Sequence, residues 1–206
     1  MKTDPVNDAF DFLIGATGDQ QALGPLRPFA VGLFLALLAL SALIALQRWR
    51  RDESQRGPGP FIIWILRVSI GIMWFQGALW KLPLPVSGAL QYWTEQMAAN
   101  AAYPLVADLV RDLALPNMAV VDTLVLALEL CLSISFMLGG FVRLFGSIGA
   151  LYALGLWIGL YRHPAEWPWE YVFLAAVQIQ FALYQAGASL GLDGWTERRL
   201  ARVRRP

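Results

Sequence analysis

The 206 residues are 57% hydrophobic, and a mean hydropathy of +0.51 is too apolar for a water-soluble domain of this size. A formal net charge of +1 gives no general attraction to nucleic acid, so the placement of charges matters more than their total. With one cysteine, Cys131, and one histidine, His163, a single copy holds no internal disulfide, bis-histidine haem or histidine-rich zinc site.

Residues 1–27 read as a non-cytoplasmic tail. MKTDPVNDAFDFLIGATGDQ carries Asp4, Asp8, Asp11 and Asp19 and no long apolar core, so it is expected to stay on the mature protein rather than be cleaved as a signal peptide. Five apolar runs follow, each near the ~20 residues that cross a ~30 Å hydrocarbon core. The first is Pro28 to Leu46, within an added transmembrane segment 28–47 that leads into a basic cytoplasmic loop, 48–59. The others are Pro60 to Trp80, Ala119 to Leu138, Arg143 to Leu160 and Trp169 to Leu190. Lipid satisfies no open backbone group, so all five are predicted to be helices of an all-α membrane protein. GPGP at Gly57 to Pro60 breaks the chain before the second span, and Gly139-Gly140 turns it between the third and fourth.

Arginine and lysine orient these spans. Arg48, Arg50, Arg51, Arg56, Arg143 and the arginines after span five (Arg198, Arg199, Arg202, Arg204, Arg205) put ten cations on one side. Lys2, Arg27, Lys81, Arg111 and Arg162 put five on the other. The positive-inside rule then predicts an external N-terminus and a cytoplasmic basic tail, 194–206. Between spans two and three, AYPLVADLVRDLALP sets Val106, Leu109, Val110 and Leu113 on one face and bounds them with Pro104 and Pro116. That predicts an amphipathic helix near 103–115 lying at the outer interface, too short to span. Trp74, Trp80, Tyr92, Trp93, Tyr161, Trp167 and Trp169 fall where an aromatic belt is expected; stacking on a flat ligand such as a quinone is the alternative.

Two charges fall inside spans. Arg67 lies roughly 10 Å and Glu129 roughly 15 Å from the cytoplasmic side at about 1.5 Å per residue, a mismatch an arginine side chain can bridge. The leading expectation is a buried Arg67–Glu129 pair. A proton- or ligand-binding carboxylate is the second, and Arg67 snorkelling beside a protonated Glu129 the third. In span five, QIQFALYQ places Gln178 and Gln185 two turns apart on one face, near Gln180 and Tyr184. Interhelical hydrogen bonding is their default role, and a polar wall around a quinone carbonyl the sharper one. Lys81, Asp122, Glu166 and Glu170 read as an outer rim facing an anion or partner, or as solvated interface charges. His163 reads as a solvated loop side chain and Cys131 as a small buried residue without a nearby base.

Four stretches taken together resemble the DoxX/DoxD family of small membrane proteins: WILRVSIGIMWFQGALWKL, YWTEQMAANAAYPLVADLVRDLALPN, ALELCLSISFMLGGFVRLFGSIGALY and WEYVFLAAVQIQFALYQAGASLGLD. The resemblance covers residues 60–193, a four-helix core to which the first span and the acidic tail are additions. It implies structural roles for Arg67, Glu129, Lys81, Arg143, Gly187 and Asp193, which fall on the family's helix arginine, second-helix glutamate, Lys-Leu ending, post-turn arginine and terminal glycine-rich Leu-Asp. DoxD-type members are subunits of thiosulfate:quinone oxidoreductase, and DoxX-type members accompany thiol-related redox partners. The implied role is that of an integral subunit of an oxidoreductase or electron-transfer complex, shaping a quinone site from Glu129, Arg67, Gln178 and Tyr184. The alternative is a non-catalytic accessory subunit packed on a respiratory or photosynthetic assembly. The expected partners are the lipid bilayer and other membrane subunits; quinone is the one cofactor left open, and no metal ligand set is seen. A transporter has less support, since inverted repeats and broken helices are absent from the pattern.

Overall fold

The computed structural model describes residues 4–82 and 84–195. The basic tail beyond Trp195 and Lys2, both used in the orientation argument, lie outside the described residues. Among the described residues every regular element is helical and there is no strand.

The helices are α1 (Pro5–Ile14), α2 (Gly18–Ala22), α3 (Arg27–Arg51), α4 (Pro58–Leu79), α5 (Gly88–Asn100), α6 (Pro104–Leu109), α7 (Met118–Leu138), α8 (Val142–Gly159) and α9 (Pro168–Leu183). Four segments are long and apolar enough to cross a membrane: Gly24–Arg51, Pro58–Leu79, Pro104–Leu138 and Val142–Gly159. The chain is a multi-pass membrane protein. Its surface agrees: Leu33, Leu35, Leu40, Leu43 and Leu46 of α3 all stand exposed, an apolar face that suits lipid and not water. Proline opens α4, α6 and α9, where its missing N–H is no loss.

Two antiparallel pairs make the bundle, α4 against α7 and α8 against α9, with α3 laid across α4 and α7. Gly71 lets α4 approach closely: a Cβ there would sit 2.7 Å from Cγ of Met137 and 3.1 Å from the Ser133 carbonyl. A polar seam ties three helices, since Ser41 Oγ donates to the Met137 carbonyl (2.5 Å) and Trp64 Nε1 donates to Ser41 Oγ (3.2 Å). Phe34, Phe75 and Leu79 form a cluster with Phe12 and Leu23 of the N-terminal tail.

That tail has more structure than its acidic composition announces. Asp4 caps α1, and Thr17 with Gln20 forms a reciprocal capping box on α2. Gln20, fully buried, donates to the Phe12 carbonyl, and the Phe12 ring meets Phe34 edge-on at 4.9 Å.

The boundaries of α4, α7 and α8 match the expected runs, whereas α3 continues past the expected Leu46 to Arg51, into the segment expected as a loop, and the last run ends early. The helix expected over Trp169 to Leu190 stops at Leu183, because Gln185 takes a left-handed conformation (φ 51°) and a short 3-10 turn follows at Ala186–Ala188. The segment expected near 103–115 is helical, as α6, a π turn at Val110–Ala114 and a 3-10 turn leading into α7. Leu109 and Leu113 face outward, with Asp108 and Asp112 also exposed. Before it lies α5, an additional helix capped by the Ser87 hydroxyl.

Candidate functional site

Glu129 sits at the middle of α7 and is 3% exposed. The expected pair with Arg67 is not the one formed. Lys81 Nζ lies 2.5 Å from Glu129 Oε2, and Tyr152 of α8 donates its hydroxyl to Oε1 at 3.1 Å. Lys81 follows the last turn of α4, and its four-carbon stem runs back along the helix so that Nζ also reaches the Gly77 carbonyl (2.7 Å). A Cβ on Gly77 would lie 3.5 Å from Glu129 Oε2, in ordinary van der Waals contact with the carboxylate. The Trp80 ring covers the ammonium at 3.8 Å from its centroid, a cation–π contact in a desolvated place.

Lys81 was expected on an outer rim with Asp122, Glu166 and Glu170; instead Lys81 and Asp122 are buried. Asp122 stands two turns before Glu129 on α7, and its Oδ2 accepts the Ser87 N–H. Ser87 Oγ in turn donates to the Trp80 carbonyl at 3.1 Å. Ser87, at the start of α5, is thus tied to both α7 and the end of α4. Glu166 and Glu170 remain outside, the former accepting from Tyr171 at 2.7 Å.

Arg67 belongs to the opposite end of the bundle. Its guanidinium donates to the carbonyls of Phe136 and Ser189 and is slotted against two glycines. A Cβ on Gly139 would be 2.6 Å from one terminal nitrogen, and a Cβ on Gly191 3.0 Å from the other. The opposite charge acting on it is Asp193. That carboxylate caps α8, accepting the Phe141 N–H at 2.7 Å and the Val142 N–H at 3.0 Å. Gly187 packs on Asp193 so closely that a Cβ would overlap the carboxylate. Arg48 of α3 joins from the side, with Asp52 3.5 Å away and donations to the carbonyls of Ala188 and Gly194.

The four residues offered as a ligand wall therefore do not converge. Gln178 is fully buried, with Nε2 returning to its own helix at Leu174 (3.3 Å) and Oε1 against Gly149. Tyr184 is 80% exposed beyond the end of α9, and Gln185, off the helix, shares no face with Gln178. Arg143 is exposed, and so is Cys131, which was expected to be buried. His163 stacks near Trp93 at 5.3 Å and accepts the Ala165 N–H at Nδ1.

Sequence reasoning missed Tyr152 altogether. Its signal was present, since a tyrosine inside an apolar span needs a partner for its hydroxyl. The Trp74 ring lies 5.5 Å from Tyr152 and closes the cluster on the α4 side. Chemically the arrangement is a buried ammonium and carboxylate with a hydroxyl donor, able to hold charge or pass a proton between oxygen atoms. Among the described residues no three His, Cys, Asp or Glu side chains gather as a metal site would require. No family model, no curated protein and no solved structure matches the chain.

Proposed function

We propose that the chain is an accessory subunit of a membrane-bound oxidoreductase or electron-transfer complex, as its resemblance to the DoxX/DoxD family implies. The observation that carries the non-catalytic form of this reading is the Lys81–Glu129 contact at 2.5 Å, closed by Tyr152. The intramembrane carboxylate at the middle of α7 is engaged by a lysine and a tyrosine of the same chain, as expected of a part that holds its own shape. The exposed leucines of α3 and the exposed aromatic rings of Trp167 and Trp169 are among the apolar surface that partners could cover.

In this reading the chain crosses the cell's inner (cytoplasmic) membrane five times. The fifth crossing is α9, whose 16 residues reach roughly 24 Å at about 1.5 Å each. The exposed Arg50, Arg51, Arg56 and Arg143 share one end of the bundle, which is the cytoplasmic end by the positive-inside rule. Reporter fusions at both termini should place the N-terminus outside and the C-terminus in the cytoplasm; both on one side would defeat the five-span topology.

A quinone-shaping role has one observation in its favour. The buried Trp74 Nε1 and Gln178 Oε1 have no hydrogen-bond partner, and both side chains pack around Leu132. Purifying the native assembly in mild detergent distinguishes the two. The accessory reading expects oxidoreductase chains to co-purify and no quinone to remain on this subunit once isolated. A quinone retained by the isolated subunit and lost in Trp74→Phe would replace it with the quinone reading.

A further inference from the structure

Val6, Phe10, Leu13 and Ile14 of α1 all stand exposed. At about 3.6 residues per turn they fall within an arc of about 100°. Asp8 and Asp11 occupy a second arc of about 60°, centred roughly 140° from the first. Phe12, which is buried, points from a third side into the cluster with Leu23 and Phe34. The bundle, the carboxylates and the open apolar face thus follow one another around the helix. A helix lying flat at a bilayer boundary needs that order: one flank against protein, the charges toward water, the apolar flank out and down.

Two contacts set the height of α1. The Phe12 ring meets Phe34 edge-on at 4.9 Å, and Gly15 presses on α3, where a Cβ would come 2.5 Å from Cγ2 of Val31. Gln20 holds the same turn through the Phe12 carbonyl at 2.9 Å. Val31 and Phe34 lie in the apolar run of α3, about 6 and 10 Å beyond Arg27 at about 1.5 Å per residue. Arg27, half-buried and close to Gly15, is the cation that precedes that run. The exposed Phe29 and Leu33 of α3 bracket Val31, so lipid-facing surface already exists at this level. We infer that α1 is an interfacial helix in the leaflet at the Arg27 end, with Val6, Phe10, Leu13 and Ile14 among acyl chains and Asp8 and Asp11 at the headgroups. The acidic segment that reads as an aqueous tail is then a part that binds the bilayer.

The test uses the full chain with Cys131→Ser, in phosphatidylcholine nanodiscs, carrying one nitroxide at a time through Asp8→Cys, Phe10→Cys or Leu13→Cys. Electron paramagnetic resonance gives the depth of each label from its collisions with oxygen, which concentrates in hydrocarbon, against those with a water-soluble nickel chelate. A label at Leu35→Cys, an exposed position of α3, supplies the hydrocarbon reference. Labels replacing Phe10 and Leu13 should lie about 5–10 Å below the headgroup boundary, and the label replacing Asp8 at or above it. Nickel reaching all three labels of α1 would overturn the inference, since the helix would then stand in water. Exclusion of both reagents at Phe10 and Leu13 would overturn it as well, by showing a second copy of the chain on that face. The collision ratio is local, so these depths hold whichever side of the membrane the N-terminus occupies.

Discussion

The two ends of the bundle handle buried charge in opposite ways. At the Arg67 end, the guanidinium groups reach mostly for backbone: Arg67 bonds to Phe136 and Ser189 with Asp193 as the nearby charge, and Arg48 bonds to Ala188 and Gly194 beside its ion pair with Asp52. Toward the other end, Lys81 meets a side-chain carboxylate and Tyr152 completes it. The planar guanidinium with its five donors suits several carbonyls at once, whereas the compact ammonium suits one anion. Arginine therefore serves here as a staple for irregular chain, and lysine as half of an ion pair between helices. The first arrangement fixes a loop and the second fixes the register of α4 against α7 and α8.

The largest effect should come from splitting that ion pair. Glu129→Leu leaves the Lys81 ammonium buried beside Tyr152 and should cost about 3–5 kcal/mol in thermal unfolding in detergent. Adding Lys81→Met should return most of that loss, since no unpaired charge then remains. Adding Arg67→Met should return none, because Arg67 belongs to a separate network and its cost should simply add. Rescue by Arg67→Met would erase the distinction between the two ends.

At the stapled end, Gly139→Ala should cost roughly 2–4 kcal/mol. Its φ of 72° disfavours a side chain, and the new methyl would press on the Arg67 guanidinium. A melting curve close to wild type would mean that Arg67 has another resting place. Smaller again is Tyr152→Phe, which removes one hydrogen bond to a carboxylate and should cost about 1.5–3 kcal/mol. The smallest is Arg111→Gln. Its pair with Asp108 is more than half exposed on both sides, so unfolding should shift by under about 0.5 kcal/mol.

The spans were legible because their hydropathy and glycine or proline punctuation act locally, and α4, α7 and α8 begin and end within two residues of the expected runs. Glu129 was legible as a residue needing the bundle interior, for the same reason of cost in lipid. Its partner was not. Depth along a helix was counted from backbone position, which placed Lys81 at the rim and left Arg67 as the nearest cation. Lysine's stem runs against that count, carrying charge some way from its Cα, and only the tertiary arrangement of Gly77, Trp80 and the Ser87 loop shows which way it turns. The end of α9 was hidden for a different reason. Its apolar composition continues past Leu183, and Gln185 leaves helical geometry because the following residues are held by Arg48 and Gln55 from distant parts of the chain.

The reach of Arg48 also orders events in time. Its carbonyl acceptors at Ala188 and Gly194 lie 140 and 146 positions later in the chain. While the chain is being synthesised, α3 can enter the bilayer, meet α4 and pair Arg48 with Asp52 four residues on, yet the arginine's two carbonyl acceptors arrive only with the stretch that follows α9. The helix that is made first among the long ones therefore gains its fastening to the stretch after α9 only once every other long helix has been added.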